Sequence, residues 1–261
     1  MEISSKDNPL IGEMRQLSAQ AKHRQKTGRF VIEGVRLCED AVRSGARVIT
    51  FVYTERAKEQ YADVWRQVNA AADNSVCIAE KLVALIADTK TPQGFFAVCE
   101  QVVRPFAASA LRKGGKYLAL ENVQDPANMG TVIRTAEAMG LDGLLLSADC
   151  CDVTSPKVVR GSMGGVFRLP VTVCADFVQA IAQWQAEGFS VYACVPNDTA
   201  TSICEVSFAN GGIALIGNEA NGLRPDTIAA ATRPITIPMN GNAESLNAAV
   251  AASIVAWEMV R

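Results

Sequence analysis

The 261-residue chain holds one histidine, His23, and no C-x-x-C pair among its eight cysteines. Each scarcity removes a class of chemistry. Histidine is the usual general base of Ser-His-Asp and Cys-His enzymes, and His23 lies in a polar, basic stretch with no nucleophile signature around it. Structural zinc needs closely spaced Cys or His ligands, so no metal is expected. Most of the cysteines fall in apolar runs such as "SVCIA", "FFAVCE" and "VYACVP", where a reduced thiol behaves as a small hydrophobe. Patterns of the types G-x-G-x-x-G and G-x-x-x-x-G-K-[ST] are missing as well, which disfavours a dinucleotide site and a P-loop. No apolar run approaches the ~20 residues that span a bilayer. The opening "MEISSKDNPLIGEMRQ" has no apolar core of the secretory kind. A cytoplasmic protein without membrane contact is expected. A net charge of −2 supplies no global positive field, so any polyanion must be held by a local patch.

What remains is an ordinary soluble composition, 49% hydrophobic and 20% charged, with ample material for a core. Helical and strand patterns alternate along it. "NPLIGEMRQLSAQAKHRQ" reads as a helix capped by Asn8 with Pro9 in its first turn. Strand "RFVIEG", helix "VRLCEDAVRSG" and strand "VITFVY" follow, then a long helix from about Lys58 to Ala72, strand "SVCIA", helix "EKLVALIAD" and strand "GFFAVCE". Such alternation predicts an α/β layer with parallel pairing. Pro105 and Gly114-Gly115 mark residues 102–116 as a linker. Beyond it the alternation resumes, from strand "YLALENV" to the closing helix in "SLNAAVAASIVAWEMVR".

Three loops rich in small and polar residues follow apolar strands in the second half: "ENVQDPANMG", "IGNEANGL" and "IPMNGNAESLN". Ligands collect at the carboxyl ends of strands in open α/β sheets. Gly217 would allow close backbone approach of a ligand, and Gly222 a positive φ; the segment also reads as a plain surface turn. Ser245 is placed to cap the last helix, whose alanines suit tight packing in a core or across a subunit interface. Arg134 stands on a helix from Asn128 to Met139 with Thr131, Thr135 and Ala138 on its side. It reads either as a surface partner of Glu137 or as an anion anchor at the strand ends, since a permanently charged planar fork suits phosphate.

Taken together, "NVQDPANMGTVIRTAEAMG", "LIGNEANGL" and "IPMNGNAESLNAAVAASI" resemble the three motifs of the SpoU (TrmH-like) RNA ribose 2′-O-methyltransferases of the SPOUT class, in order and spacing. "KTGRFVIEGVRLCEDAVRSG" and "TKTPQGFFAVCE" are similar to the substrate-binding domain of rRNA-modifying members. The resemblance implies an α/β fold: a ribosomal-protein-like RNA-binding domain over residues 1–101, the linker 102–116, and over 117–261 a methyltransferase domain with a mostly parallel sheet and a trefoil knot. It implies S-adenosylmethionine as methyl donor, RNA (rRNA foremost) as substrate, and a homodimer with the active site near the subunit interface. By motif position, Asn128, Arg134, Glu219, Ser245 and Asn247 correspond to the polar catalytic set. Gly217, Ile237 and Leu246, with Ile216, Asn218 and Met239 beside them, correspond to cofactor-holding positions.

An RNA substrate on an acidic protein calls for local cations. Lys22, Arg24, Lys26 and Arg29 in "KHRQKTGR" form one expected patch, and Lys157 and Arg160, with Arg168 nearby, a second. The competing readings are a tRNA methyltransferase, a non-catalytic RNA-binding or ribosome-assembly factor on the same fold, and a small-molecule phosphate enzyme.

Overall fold

The computed structural model describes residues 2–105, 107, 111–197 and 199–261. Of the expected linker, Phe106 and Ala108, Ser109 and Ala110 lie outside the described residues. The chain divides into two compact units, Met1–Val102 with Thr154–Phe167, and Val103–Val153 with Arg168–Arg261. The first therefore includes a segment that the sequence assigns to the C-terminal domain.

In the first unit, β1 (Glu2–Ile3), β2 (Arg29–Glu33), β3 (Val48–Tyr53), β4 (Ser75–Ile78) and β5 (Phe95–Glu100) form a sheet ordered β1-β4-β3-β5-β2. Its helices are α1 (Pro9–Ala19), α2 (Ala21–Thr27), α3 (Val35–Arg43), α4 (Glu55–Gln60), α5 (Ala62–Ala71) and α6 (Glu80–Ile86). Asn8 caps α1 through Leu10 N–H, and Ile11, Met14 and Leu17 recur on one face, packed with α6 over Val31, Val52, Phe96 and Val98. Two expectations are corrected. The sheet is mixed, because β5 runs antiparallel to β2 and to β3. Non-helical residues 87–94 follow the seven-residue α6 and bring Phe95 to pair with Tyr53 at the carboxyl end of β3. The long helix 58–72 is in fact two: it starts at Glu55 under a Thr54 cap and breaks at Tyr61 (φ −121°, ψ 44°), whose ring packs edge-on against Phe95.

In the second unit, β6 (Arg104–Pro105), β7 (Lys116–Leu120), β8 (Gly143–Ser147), β9 (Val171–Cys174), β10 (Val191–Cys194), β11 (Thr201–Ser202), β12 (Gly212–Ile216) and β13 (Arg233–Thr236) form one sheet. Its order is β11-β13-β10-β12-β7-β8-β9-β6, and every pairing is parallel. Strands β7, β8 and β12 read as apolar runs because helices cover both faces of such sheets. The proline-bearing β6, part of the expected linker, sits at an edge, where a missing N–H is tolerated. Five helices follow the chain: α7 (Pro126–Ala138), α8 (Pro156–Gly161, in the segment that joins the first unit), α10 (Phe177–Ala186), α11 (Pro225–Ala230) and α12 (Ala248–Val260), with one turn, α9 (Gly165–Arg168), after α8. Trp184, Ile181, Ile213 and Leu215 are fully enclosed in its core. Each such aliphatic side chain contributes about 1.5–3 kcal/mol. The alanines of α12 (Ala248, Ala249, Ala252, Ala256) are buried, and the helix packs on α7, β7 and β12. All eight cysteines are free; Cys38, Cys99 and Cys174 are buried, Cys204 is exposed, and burial pushes the Cys99 thiol up to about 12.

Candidate active site

β7 and β12 are adjacent and in register, Leu120 opposite Ile216. The chain therefore leaves both strands side by side, with Glu121 N–H donating to Ile216 O at 2.9 Å and Asn218 Nδ2 to Asn122 O at 2.8 Å. Past β7, Asp125 caps α7 by accepting from Ala127 N–H at 2.8 Å, and Pro126 takes the first helical position. The helix thus begins before Asn128 and places that residue, 8% exposed, in its first turn.

Glu219 reaches this helix N-terminus from the β12 loop. Its carboxylate accepts from Asn128 Nδ2 at 3.0 Å, Asp125 N–H at 3.1 Å, Gln124 N–H at 3.2 Å and Asn218 Nδ2 at 3.4 Å. Burial pulls its pKa up, but donation from Asn128 and from the main-chain N–H groups of Glu219, Asp125 and Gln124 outweighs burial, and the pKa lies below the ordinary value. A carboxylate can only accept, so Asn128 turns its NH2 to Glu219 and leaves Oδ1 to accept from Asn247 Nδ2 at 3.0 Å. Asn247 Oδ1 in turn accepts from Ala249 and Val250 N–H, capping α12. Ser245, expected as the cap, is two residues too early for it. One asparagine amide thus joins its own helix to two segments 91 and 119 residues downstream.

A second network, unforeseen from sequence, braces the same loops from beneath. Glu121 is 1% exposed and accepts from Arg224 N–H at 2.8 Å and Thr227 Oγ1 at 2.5 Å. The Arg224 guanidinium pairs with Asp149 as well as with Glu121, tying the start of α11 to the β8 loop. Its only signal in the sequence is an acid at the end of an apolar strand.

Between the loops after β10, β12 and β13 lies a cavity of about 440 Å³, within the range of small-molecule sites. Ile216, Gly217, Asn218, Ile237, Met239 and Leu246 all line it, as do Glu219, Glu244 and Ser245, and Cys194, Val195 and Pro196 at the end of β10. Asn218 and Gly222 exchange main-chain hydrogen bonds at 3.0 and 2.9 Å, closing a small loop. Gly222 holds φ +66°, and a Cβ on Gly217 would stand 2.1 Å from the Gly222 carbonyl carbon. The close approach expected at Gly217 is therefore made by the loop's own backbone. Apolar walls, exposed backbone groups and two carboxylates with no Lys, Arg or His among the described lining residues suit an uncharged ring joined to a cationic group.

Arg134 does not line this cavity. It is exposed, six residues along α7 from Asn128 (about 9 Å of helix), and its guanidinium has no hydrogen bond or ion pair among the described residues. Glu137, its expected surface partner, pairs instead with Arg168 at 2.8 Å. The neighbouring Thr135 meets Ser253 of α12 at 3.4 Å. Three of the residues expected to contact RNA have partners within the protein. Arg24 is 4% exposed and donates to Leu17 O (2.6 Å) and Ser18 O (3.1 Å), closing the carbonyl end of α1. Arg29 pairs with Glu13 at 3.0 Å, and Arg160 with Asp88 at 2.5 Å. Lys22, Lys26 and Lys157 are exposed. Among the described residues no cluster of His, Cys, Asp and Glu could hold a metal, and no helix is long and apolar enough to cross a membrane.

Residues 115–257 match the SpoU rRNA Methylase family, and residues 8–97 the MRM3-like substrate binding domain. The chain is 30% identical over 258 residues to the 23S rRNA (guanosine(2553)-2′-O)-methyltransferase RlmP of Bacillus subtilis, covering 99% of this chain and 98% of that one. Its fold is similar to that of an AdoMet-bound rRNA methyltransferase from Sinorhizobium meliloti (TM-score 0.86, 32% identity, 99% of this chain and 97% of that one). It is similar too to the SpoU methyltransferase AviRb of Streptomyces viridochromogenes, solved in complex with AdoMet (TM-score 0.86, 26% identity, 97% of each chain).

Proposed function

The chain belongs to the SpoU rRNA methylase family, and from that premise we propose that it methylates a ribose 2′-hydroxyl of 23S-type ribosomal RNA with S-adenosylmethionine as donor. The observation that carries this reading is a convergence: the loops after β12 and β13 line one cavity, and Glu219 and Asn247 bolt them through Asn128 to the start of α7. A non-catalytic RNA-binding factor has no need of that convergence.

S-adenosylmethionine, when bound, supplies a methyl group on a positively charged sulfonium. Ile216, Gly217, Asn218, Ile237, Met239 and Leu246, which line the cavity, would hold it through backbone groups and apolar contact. The remaining work is positioning, which brings a weak nucleophile to near-attack geometry. Glu219, Asn128 and Asn247 fix the β12 loop against the first turn of α7, and Ser245 stands at the cavity edge to orient the ribose. Arginine as a residue type is a poor base; Arg134 binds the phosphate beside the reacting ribose and stabilises oxyanion character as the hydroxyl loses its proton.

A homodimer belongs to the same reading. Val250 (48% exposed) and Trp257 (55% exposed) leave an apolar stripe on α12, which packs on α7, the helix that carries Arg134, and a second copy covering that stripe would bring Arg134 to an assembled site. A trefoil knot belongs to the same reading. The first unit is the RNA-binding part, with Lys22 and Lys26 as contacts, and Lys157 a further one; the cytoplasm is the expected compartment. Methyl transfer by Arg134→Ala and Arg134→Lys tests the phosphate role. Both variants are expected to keep the wild-type melting temperature and to lose activity, and near-full activity in the lysine variant contradicts a bidentate contact.

A further inference from the structure

We propose that Glu244 makes this cavity select a positively charged sulfonium over the neutral thioether that remains after transfer. The inference rests on reading the cavity as the S-adenosylmethionine site.

Two carboxylates line the cavity, Glu219 and Glu244, and no Lys, Arg or His is among its described lining residues. They differ in what already touches them. Glu219 accepts from four N–H groups, three of them between 3.0 and 3.2 Å. Its charge is spread over donors that hold the loop. Glu244 has no hydrogen bond or ion pair among the described residues, and lies beside Ser245 in an exposed stretch of the third loop. Asn247, three residues on, is fixed by its bonds to Asn128 and to the first N–H groups of α12, which limits how far Glu244 strays from the rim. An unpaired carboxylate at the rim of a cavity without lining cations lowers the local potential.

Methyl transfer removes the positive charge that this potential favours. The S–CH3 bond breaks as the O–CH3 bond forms, sulfur keeps the electron pair, the hydroxyl proton passes to solvent water, and the sulfonium becomes a thioether. Both forms share the nucleoside and the amino-acid group, so contacts to those parts cancel in the comparison. The surviving difference is one unit of charge near sulfur, which Glu244 attracts before the reaction and not after it. Glu244 is thus a specificity residue that favours reactant binding and product release. Its exposure keeps the effect modest, about three- to fivefold in relative affinity.

Isothermal titration of the full chain with S-adenosylmethionine and with S-adenosylhomocysteine tests this, comparing wild type with Glu244→Gln. Weaker binding of the first ligand by about three- to fivefold, with the second unchanged, is the expected result. For wild type alone, raising salt to 1 M shortens the screening length to about 3 Å and should shift the affinity ratio of the two ligands toward that of the variant. Equal change in both affinities, no change in either, or a ratio indifferent to salt overturns the proposal while leaving the cofactor site standing. Failure of wild type to bind either ligand overturns both.

Discussion

Three glycines in the site loops meet different surroundings, and replacing each with alanine separates packing from backbone conformation. A Cβ at Gly217 would lie 2.1 Å from the Gly222 carbonyl carbon, 2.2 Å from Leu223 N and 2.5 Å from Gly222 O. All three are main-chain atoms, so no side chain can swing away. The loop has two ways to respond. If it stays closed, overpacking costs about 1–3 kcal/mol; if it opens, two hydrogen bonds between Asn218 and Gly222 are lost at about 0.5–1.5 kcal/mol each. Either route gives about 2 kcal/mol, or a thermal midpoint lower by about 4–8 °C for a chain of this size. Where binding requires the closed loop, the same energy weakens S-adenosylmethionine about thirtyfold. Gly222→Ala enters open space but keeps φ +66°, a strain of about 1–2 kcal/mol. Gly241→Ala meets nothing within 4 Å and no positive φ, and should stay within about 0.5 kcal/mol of wild type. Scanning calorimetry and isothermal titration across the series read both quantities. Gly217→Ala indistinguishable from Gly241→Ala in both assays would refute the closed loop and the cavity wall built on it.

Asn128→Ala removes the link between Glu219 and Asn247 and should destabilise by about 1–3 kcal/mol; Asn128→Asp sets two carboxylates face to face and should be worse at neutral pH, as denaturant titration would reveal. Glu219 has a depressed pKa in the folded state, so its contribution to stability is present above the unfolded value of about 4.3 and is lost as pH falls through the folded value. The stability gap between wild type and Glu219→Gln should therefore narrow below about pH 4.3, and a gap constant to pH 2.5 would contradict the assignment. Arg24→Ala strips two carbonyls of a buried donor and should lower stability by about 1.5–3 kcal/mol without changing RNA affinity. Lys22→Ala and Lys26→Ala should do the reverse, each reducing the salt slope of RNA binding by about one.

The parallel sheet and its three loops were legible because their signals are local. Buried parallel strands are continuous apolar runs, as in "YLAL" and "GIALI", and the polar loops stand directly after them. The motif residues also gather: all six positions expected to hold the cofactor line one cavity. What escaped was set by distant partners. The break at Tyr61 depends on a ring at Phe95, and the antiparallel course of β5 on how residues 87–94 return the chain. Arg24 looked like one more cation in "KHRQKTGR", and only the carbonyls of α1 above it explain its burial. Glu121 and Thr227 lie 106 residues apart and have no pattern in common. Glu244 carries no signal of its own in the sequence; it stands out only because no Lys, Arg or His is among the described lining residues of the cavity.

Incubation of the purified protein with methyl-labelled S-adenosylmethionine and 23S ribosomal RNA lacking the modification, followed by nucleoside analysis, tests the central claim most directly. Label recovered in a single 2′-O-methylated nucleoside, and lost in Asn128→Ala, is the predicted result. Label on a base, or transfer unaffected by breaking the Glu219–Asn128–Asn247 link, would contradict it.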